Sequence, residues 1–219
     1  ADYVHFTGNN TIYGTEWHVD PVVGNVPLVA DLSSNIFSKP IDVSKYGLIY
    51  AGAQKNLGAA GVTLVLLRDD LLSRSPDSLP LMLNYNTHAK GHSAYNTPPV
   101  FSIYIMGLVV KYILQQGGLE KIGTQNADKA RLLYNQLDSS EFFRGHAMQG
   151  SRSLMNVTFN LPSPELEAKF TSDATSEGLV ELKGHRSVGG IRASIYNAFP
   201  KKGVEALVSF MGEFERTNG

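Results

Sequence analysis

Lys55 is the residue whose surroundings most favour chemistry. It follows an apolar run, residues 47–51, in the segment Gly52-Ala53-Gln54-Lys55-Asn56-Leu57-Gly58. The small residues beside it leave room for a bulky group against the backbone. A lysine just beyond a buried strand loses part of its hydration, which lowers the pKa of its amine, as Schiff-base chemistry requires. The same context is equally compatible with a hydrated loop lysine.

Two other groups of polar residues could complete a site around this amine. Asp31 ends the apolar run Leu28-Val29-Ala30, and the carboxyl ends of such strands are where ligands of open α/β sheets gather. A carboxylate there could hold a pyridine nitrogen protonated, although capping of the next segment explains Asp31 nearly as well. The second group is the glycine-rich segment 184–192, which an ordinary turn with surface arginines would also explain.

The elements that must position these residues change character along the chain. Residues 3–6, 28–31, 47–51 and 61–67 are continuous apolar runs, which predict strands buried on both faces of an α/β sheet. The break at Asn96-Thr97-Pro98-Pro99 precedes a predicted buried helix over residues 100–116, which Gly117-Gly118 ends.

The second half predicts a different mixture of elements. Helices are expected over residues 119–137 and 165–177, strands over 153–159 and 191–196, and a final amphipathic helix after residue 200. The fold class is therefore α/β, with a truncated large domain over residues 1–118 and a small α+β domain over residues 119–219. The apolar run at residues 3–6 predicts a strand at the very start of the chain. A chain that begins within a sheet strand is expected to be part of a longer protein.

Composition narrows the classes of partner. The chain has 19 Lys+Arg, 20 Asp+Glu and no cysteine, which gives no support for a nucleic-acid or anionic-membrane partner and excludes thiolate sites. The longest apolar stretch, residues 100–114, is too short and too mixed to span a bilayer. His88 and His92 have i, i+4 spacing, but their polar surroundings predict a loop and no metal site.

Four blocks of sequence resemble the phosphoserine aminotransferase family, in its order and spacing. The resemblance runs from Tyr3 to Arg216, and the family belongs to fold type I of the pyridoxal-phosphate enzymes. The blocks are Asp31-Leu32-Ser33-Ser34, Tyr50-Ala51-Gly52-Ala53-Gln54-Lys55-Asn56, Tyr95-Asn96-Thr97-Pro98-Pro99 and Lys183-Gly184-His185-Arg186-Ser187-Val188-Gly189-Gly190-Ile191-Arg192-Ala193-Ser194.

The resemblance implies a role for each cofactor residue. Lys55 would hold pyridoxal 5'-phosphate covalently and shuttle the proton, and Asp31 would pair with the pyridinium nitrogen. Thr11 would bond the ring oxygen and Gln54 the cofactor phosphate. Asn96 and Thr97 would reach the phosphate bound in the neighbouring subunit, which implies a homodimer with shared active sites. Taken alone, Thr11 is also compatible with a turn hydroxyl and Asn96-Thr97 with a rigid loop.

The substrate residues come from the glycine-rich segment. The resemblance assigns His185 and Arg186 to the substrate phosphate and Arg192 to the α-carboxylate, since arginine forks suit both oxyanions. The implied reaction is ping-pong: L-glutamate leaves as 2-oxoglutarate, and 3-phosphohydroxypyruvate becomes O-phospho-L-serine. We expect a cytoplasmic enzyme of serine biosynthesis.

The family also has an N-terminal segment that these residues lack. That segment supplies a phosphate-binding turn, the aromatic ring that stacks on the pyridine and further arginine, so we expect the chain to be incomplete and doubt its activity alone. Trp17 lies in the wrong place to be the stacking ring and is expected to serve packing. Two alternatives stay open: another fold type I aminotransferase, such as an alanine–glyoxylate type, and a non-catalytic fragment with a dimerisation role.

Overall fold

The computed structural model describes residues 1–219 and contains nine strands and six α-helices. The strands are β1 (Val4–Thr7), β2 (Asn9–Asn10), β3 (Thr15–Glu16), β4 (Leu28–Asp31), β5 (Leu48–Gly52), β6 (Thr63–Leu67), β7 (Arg144–Gly145), β8 (Asn156–Asn160) and β9 (Ile191–Ser194). The helices are α1 (Asp69–Leu72), α2 (Tyr85–Lys90), α3 (Val100–Gln115), α4 (Gly118–Asp138), α5 (Pro164–Ser176) and α6 (Lys201–Asn218). No single helix is long and apolar enough to cross a membrane, although the pair α3 and α4, bent by 83°, meets the length and composition criteria together.

The elements from β1 to α3, here called the sheet unit, are built on a four-stranded sheet. Its order is β1-β4-β5-β6, with the first three strands parallel and β6 antiparallel to β5. The small residues Ala30 and Ala51 are fully buried in its core. Because β4 and β5 are parallel neighbours with Asp31 opposite Tyr50, their carboxyl ends lie at the same edge of the sheet.

The elements from α4 to α6, here called the C-terminal unit, surround the antiparallel sheet β7-β8-β9. Residues of all three helices and of β8 and β9 contribute to a core of 19 buried residues. Phenylalanine rings in edge-to-face contact form much of this core, as expected for the geometry that aromatic pairs prefer. They are Phe143, Phe159, Phe170, Phe210 and Phe214.

The predicted α/β class is confirmed, and most predicted elements are found within a few residues. The helices expected over residues 100–116, 119–137 and 165–177 correspond to α3, α4 and α5. The division predicted after residue 118 falls at the start of α4, and the two hydrophobic cores take their buried members from opposite sides of it. The domain boundary itself stays a prediction.

The prediction that α3 is a buried helix is wrong. Only Ser102 and Ile113 are buried, whereas Phe101, Tyr104 and Leu114 are more than half exposed. A helix that is apolar on all faces is normally buried on all of them. In this structure the rest of the chain packs against only part of α3. Strands β1 and β6 were likewise expected to be buried on both faces, but they are the two edge strands of the sheet and have exposed positions.

Two smaller expectations also need correction. His88 lies on the short helix α2 and not in a loop, while His92 follows the end of that helix in a left-handed conformation with φ 48°. Trp17, which was expected to serve packing, is packed only in part. Its ring contacts Phe6 edge-to-face at 5.9 Å between centroids, but 56% of the residue is exposed.

Candidate active site

Asp31 is held at the carboxyl edge of the sheet by its own strand and the one beside it. Oδ1 of Asp31 accepts hydrogen bonds from the backbone N–H of Ser33 at 2.9 Å and from its hydroxyl at 2.6 Å. The same hydroxyl oxygen accepts a bond from the N–H of Gly52, at the end of β5, at 3.0 Å. The serine thus fixes the carboxylate relative to the turn that carries Lys55. Oδ2 of Asp31 makes no hydrogen bond within the chain and is available to a ligand.

Lys55 follows β5 by three residues and lies at the same edge. Its amine makes no hydrogen bond and is half-buried, and burial is the largest cause that lowers its pKa from the ordinary lysine value. The charge of Arg192 lowers this pKa further, while that of Asp31 opposes the shift. A lowered pKa keeps more of the amine unprotonated near neutral pH, which is the form that attacks a carbonyl.

Arg192 comes from the C-terminal unit and reaches across to the sheet unit. Its guanidinium donates to the backbone oxygen of Thr11 at 3.3 Å, and Thr11 lies in the turn between β2 and β3. None of the ion pairs in the chain includes Arg192. An arginine without a carboxylate partner, close enough to act on Lys55, is suited to binding an incoming anion.

Gln54 lies against the end of β5. A Cβ built on Gly52 would come within 2.7 Å of the Gln54 side-chain oxygen, so glycine at position 52 leaves the space that this side chain uses. Gln54 is otherwise exposed and makes no side-chain hydrogen bond, which leaves its amide available.

The segment that carries His185 and Arg186 is a tight loop leading into β9. Gly184 must be glycine because a Cβ there would lie 1.9 Å from the backbone oxygen of Gly189. Gly190 has φ +70°, and its Cβ would meet Asn160 at 2.7 Å. Nδ1 of His185 and the Ser187 hydroxyl are 2.7 Å apart, while Arg186 is exposed.

The structure brings some predicted residues together and leaves others apart. Asp31, Lys55, Thr11 and Arg192 converge, and Gln54 precedes the lysine. Asn96 and Thr97 are exposed at the approach to α3, where the Asn96 amide bonds only to the Thr97 backbone oxygen, at 3.2 Å. Within this chain neither residue contacts Lys55 through a hydrogen bond.

A buried polar network joins the two units beside the site, and it was not predicted from the sequence. The amide of Asn9 donates to the Ser34 hydroxyl at 2.8 Å and to the Asn156 side chain at 2.9 Å, and Ser153 donates to Asn9 in turn. All four residues are buried. Ser153 and Asn156 stand in or beside the apolar run that forms β8, which was the available signal, whereas Asn9 and Ser34 lie among polar residues and gave none.

Known proteins are similar in sequence to this chain over almost its full length. The chain matches the family described as aminotransferase class-V over residues 1–207. The chain belongs to the aminotransferase class-V family. It is 56% identical over 218 residues to a phosphoserine aminotransferase of Herpetosiphon aurantiacus, covering 99% of this chain and 61% of that protein. For the phosphoserine aminotransferase of Desulfotalea psychrophila the identity is 58%, with 100% of this chain and 60% of that protein covered.

A solved structure supports the same class-V membership. The phosphoserine aminotransferase of Bacillus circulans subsp. alkalophilus superimposes with a TM-score of 0.97 at 52% identity, over 99% of this chain and 60% of that one. The fold is therefore that of the fold type I aminotransferases. The chain spans about three fifths of the length of the relatives it matches.

Proposed function

We propose that this class-V protein transfers the amino group of L-glutamate to 3-phosphohydroxypyruvate, giving O-phospho-L-serine and 2-oxoglutarate, as a cytoplasmic step of serine biosynthesis. The observation that carries the proposal is the meeting of Lys55, Asp31 and Arg192 at one sheet edge. The names of the relatives, at 56–58% identity, support the choice of substrates.

The residues present fit pyridoxal 5'-phosphate. The amine of Lys55 makes no hydrogen bond, and Oδ2 of Asp31 is free to pair with a ring nitrogen because only Oδ1 is engaged. When bound, the cofactor supplies an electron sink that stabilises charge at the substrate Cα. Lys55 would hold the cofactor covalently and move the Cα proton, and Asp31 would keep the ring nitrogen protonated.

The other predicted site residues would bind the substrate and the remaining groups of the cofactor. Arg192 would bind the α-carboxylate, since it has no carboxylate partner and lies at the lysine. His185 and Arg186 would bind the substrate phosphate, and the exposure of Arg186 supports a ligand role. Thr11 would bond the ring oxygen and Gln54 the cofactor phosphate.

We propose that the protein is a homodimer in which Asn96 and Thr97 serve the neighbouring active site. Both are exposed and are not hydrogen-bonded to the lysine of their own chain. The apolar side chains left open on α3, which directly follows them, support a partner on this side of the molecule. Residues outside these 219 would complete the site, because the relatives are longer by a large margin.

A transamination assay tests the proposal against its two alternatives. With glutamate as donor, we expect phosphoserine from 3-phosphohydroxypyruvate, much less product from glyoxylate, and none from a Lys55→Arg variant. Turnover that prefers glyoxylate would favour an alanine–glyoxylate type of aminotransferase. Absence of turnover, in a preparation that also fails to bind pyridoxal phosphate, would leave the non-catalytic dimerisation role.

A further inference from the structure

Lys129 is a buried cation that the proposed reaction does not use. It lies on α4, is 3% exposed and forms none of the ion pairs in the chain. Charged lysines are almost never fully buried unless they are paired. Its retention in the interior therefore needs a specific reason.

The ammonium group is surrounded by backbone oxygens of one short segment. Residues 195–199, here called the bridging segment, connect β9 to α6. The nitrogen of Lys129 donates to the carbonyls of Tyr196 at 2.8 Å, Ile195 at 3.0 Å and Phe199 at 3.1 Å, and that of Asn197 lies at 3.4 Å. Three short contacts match the three N–H donors of an ammonium group, so the carbonyls form a cage shaped for a cation.

The cage and its occupant depend on each other. Burial lowers the pKa of Lys129 to about 8, because the amine has lost hydration. Hydrogen bonds from a charged donor are the strong ones, and an unpaired buried charge is strongly destabilising. Lys129 therefore constrains where the backbone of the bridging segment can lie.

The bridging segment touches both halves of the candidate site. It begins three residues after Arg192. The N–H of Asn197 donates to the side-chain oxygen of Asn56 at 3.1 Å, and Asn56 is the neighbour of Lys55. The Asn197 amide also donates to the backbone oxygen of Phe37 in the sheet unit at 2.9 Å. This segment consequently links the strand of Arg192 to the turn of Lys55.

We propose that Lys129 is a positioning residue whose ammonium group fills a cage of four backbone carbonyls and thereby fixes the spacing between Lys55 and Arg192. The inference rests on the proposed function for the roles of these two residues. Transamination needs the substrate carboxylate and the lysine amine at a set separation, and a displacement of about 1 Å can cost about a hundredfold in rate.

The test compares Lys129→Met with Lys121→Met, an exposed lysine on the same helix. The first readout needs no cofactor: the pH dependence with which Lys55 is reductively methylated by formaldehyde and cyanoborohydride, measured by peptide mass spectrometry. In Lys129→Met we expect the midpoint to move upward, because Lys55 gains hydration and loses the nearby charge of Arg192. Lys121→Met should match the wild type.

Two further readouts separate positioning from simple stability. In protein that transaminates, Lys129→Met should raise the KM for glutamate about tenfold or more relative to Lys121→Met. In Lys129→Ala, added methylammonium should lower the KM for glutamate in a dose-dependent way, whereas tetramethylammonium, which has no N–H donor, should not.

An unchanged Lys55 midpoint in a folded Lys129→Met protein would overturn the proposal, even if that protein melts at a lower temperature. If Lys129→Met does not fold, Asn197→Ala decides, because it removes the side-chain hydrogen bond that ties the bridging segment to Phe37 of the sheet unit and keeps the buried cation. An upward midpoint there supports the proposal, and an unchanged one overturns it. Failure of the proposed function is distinguishable, because it would appear in the wild type itself, as a loss of cofactor binding or of turnover with 3-phosphohydroxypyruvate, and would leave the methylation comparison intact.

Discussion

The two units of the molecule differ in how completely they enclose their apolar residues. Phe170, in the C-terminal unit, is fully buried and contacts four other phenylalanine rings edge-to-face. Phe101, on α3 of the sheet unit, is 70% exposed. The C-terminal unit is thus closed by its own residues, whereas the sheet unit presents an apolar surface that requires a cover from elsewhere.

The two units are therefore expected to contribute differently to stability and to activity. Arg192 lies in the C-terminal unit, which has the larger buried core, whereas Lys55 and Asp31 lie in the sheet unit, which has the smaller one. Substitutions in the C-terminal unit should therefore mainly affect stability, whereas substitutions in the sheet unit should mainly affect activity. The predictions for Phe170 and Asp31 below test that separation, and the remaining two concern the C-terminal unit.

The largest effect is expected at the centre of the phenylalanine core. Phe170→Ala should lower the free energy of unfolding by about 3–5 kcal/mol, because it removes a buried ring and leaves a cavity. Phe101→Ala should change it by no more than about 0.5 kcal/mol, since that ring is already in water. Guanidinium unfolding followed by circular dichroism measures both free energies. Equal losses for the two variants would contradict the proposed difference between the two units.

Asp31→Asn should mainly affect activity. The amide keeps the size of the side chain but cannot hold a ring nitrogen protonated, so we expect kcat to fall about a hundredfold, or about 2.7 kcal/mol in activation free energy. The matched control is Asp77→Asn, at an exposed position. Steady-state transamination kinetics measure the change. A fall in stability comparable to that of Phe170→Ala would contradict the division between the units.

Gly190→Ala should destabilise the loop before β9. Its φ of +70° and the 2.7 Å approach of a Cβ to Asn160 combine backbone strain with a clash, and a loss of about 2 kcal/mol is expected. Gly178→Ala is the control, because Gly178 has φ +82° but nothing within 4 Å of its Cβ. Thermal unfolding should therefore show a smaller loss for the control, and equal losses would mean that the clash is relieved.

The smallest effect is expected for an ion pair of the C-terminal unit in which the Asp138 side chain is half exposed. The guanidinium of Arg152 holds the pKa of Asp138 below its ordinary 3.8. A carboxylate with a lowered folded-state pKa stabilises the protein above the unfolded value and loses that contribution as the pH falls below it. Asp138→Asn should cost at most about 1 kcal/mol at pH 7.

The pH dependence of unfolding checks this ion pair. The difference between wild type and Asp138→Asn should be constant from neutral pH down to about the ordinary carboxyl pKa, and should vanish in stronger acid. A difference that instead grows as the pH falls would contradict the assigned sign.

The sequence predicted the parts of the site that depend on local pattern. Continuous apolar runs identified β4 and β5, and parallel pairing then placed Asp31 and the turn of Lys55 at one edge. The exposure of α3 could not be predicted in this way, because an apolar helix looks the same whether its cover belongs to the chain or lies outside it. Tertiary context alone decides that question.

Lys129 shows a second limit of the sequence. It occupies the buried stripe of α4 with Ile122, Asn126 and Leu133, so its position among apolar residues was a visible signal. Its partners are backbone carbonyls of a segment more than sixty residues away. Backbone acceptors carry no sequence signature, and therefore only the folded chain reveals the cage.

Reduction with borohydride after addition of pyridoxal phosphate tests the central claim most directly. The account predicts one pyridoxyl group per chain, on the peptide that contains Lys55, and its loss when excess pyridoxal phosphate is added to Lys55→Arg. Label spread over exposed lysines such as Lys111, with Lys55 unmodified, would contradict the account.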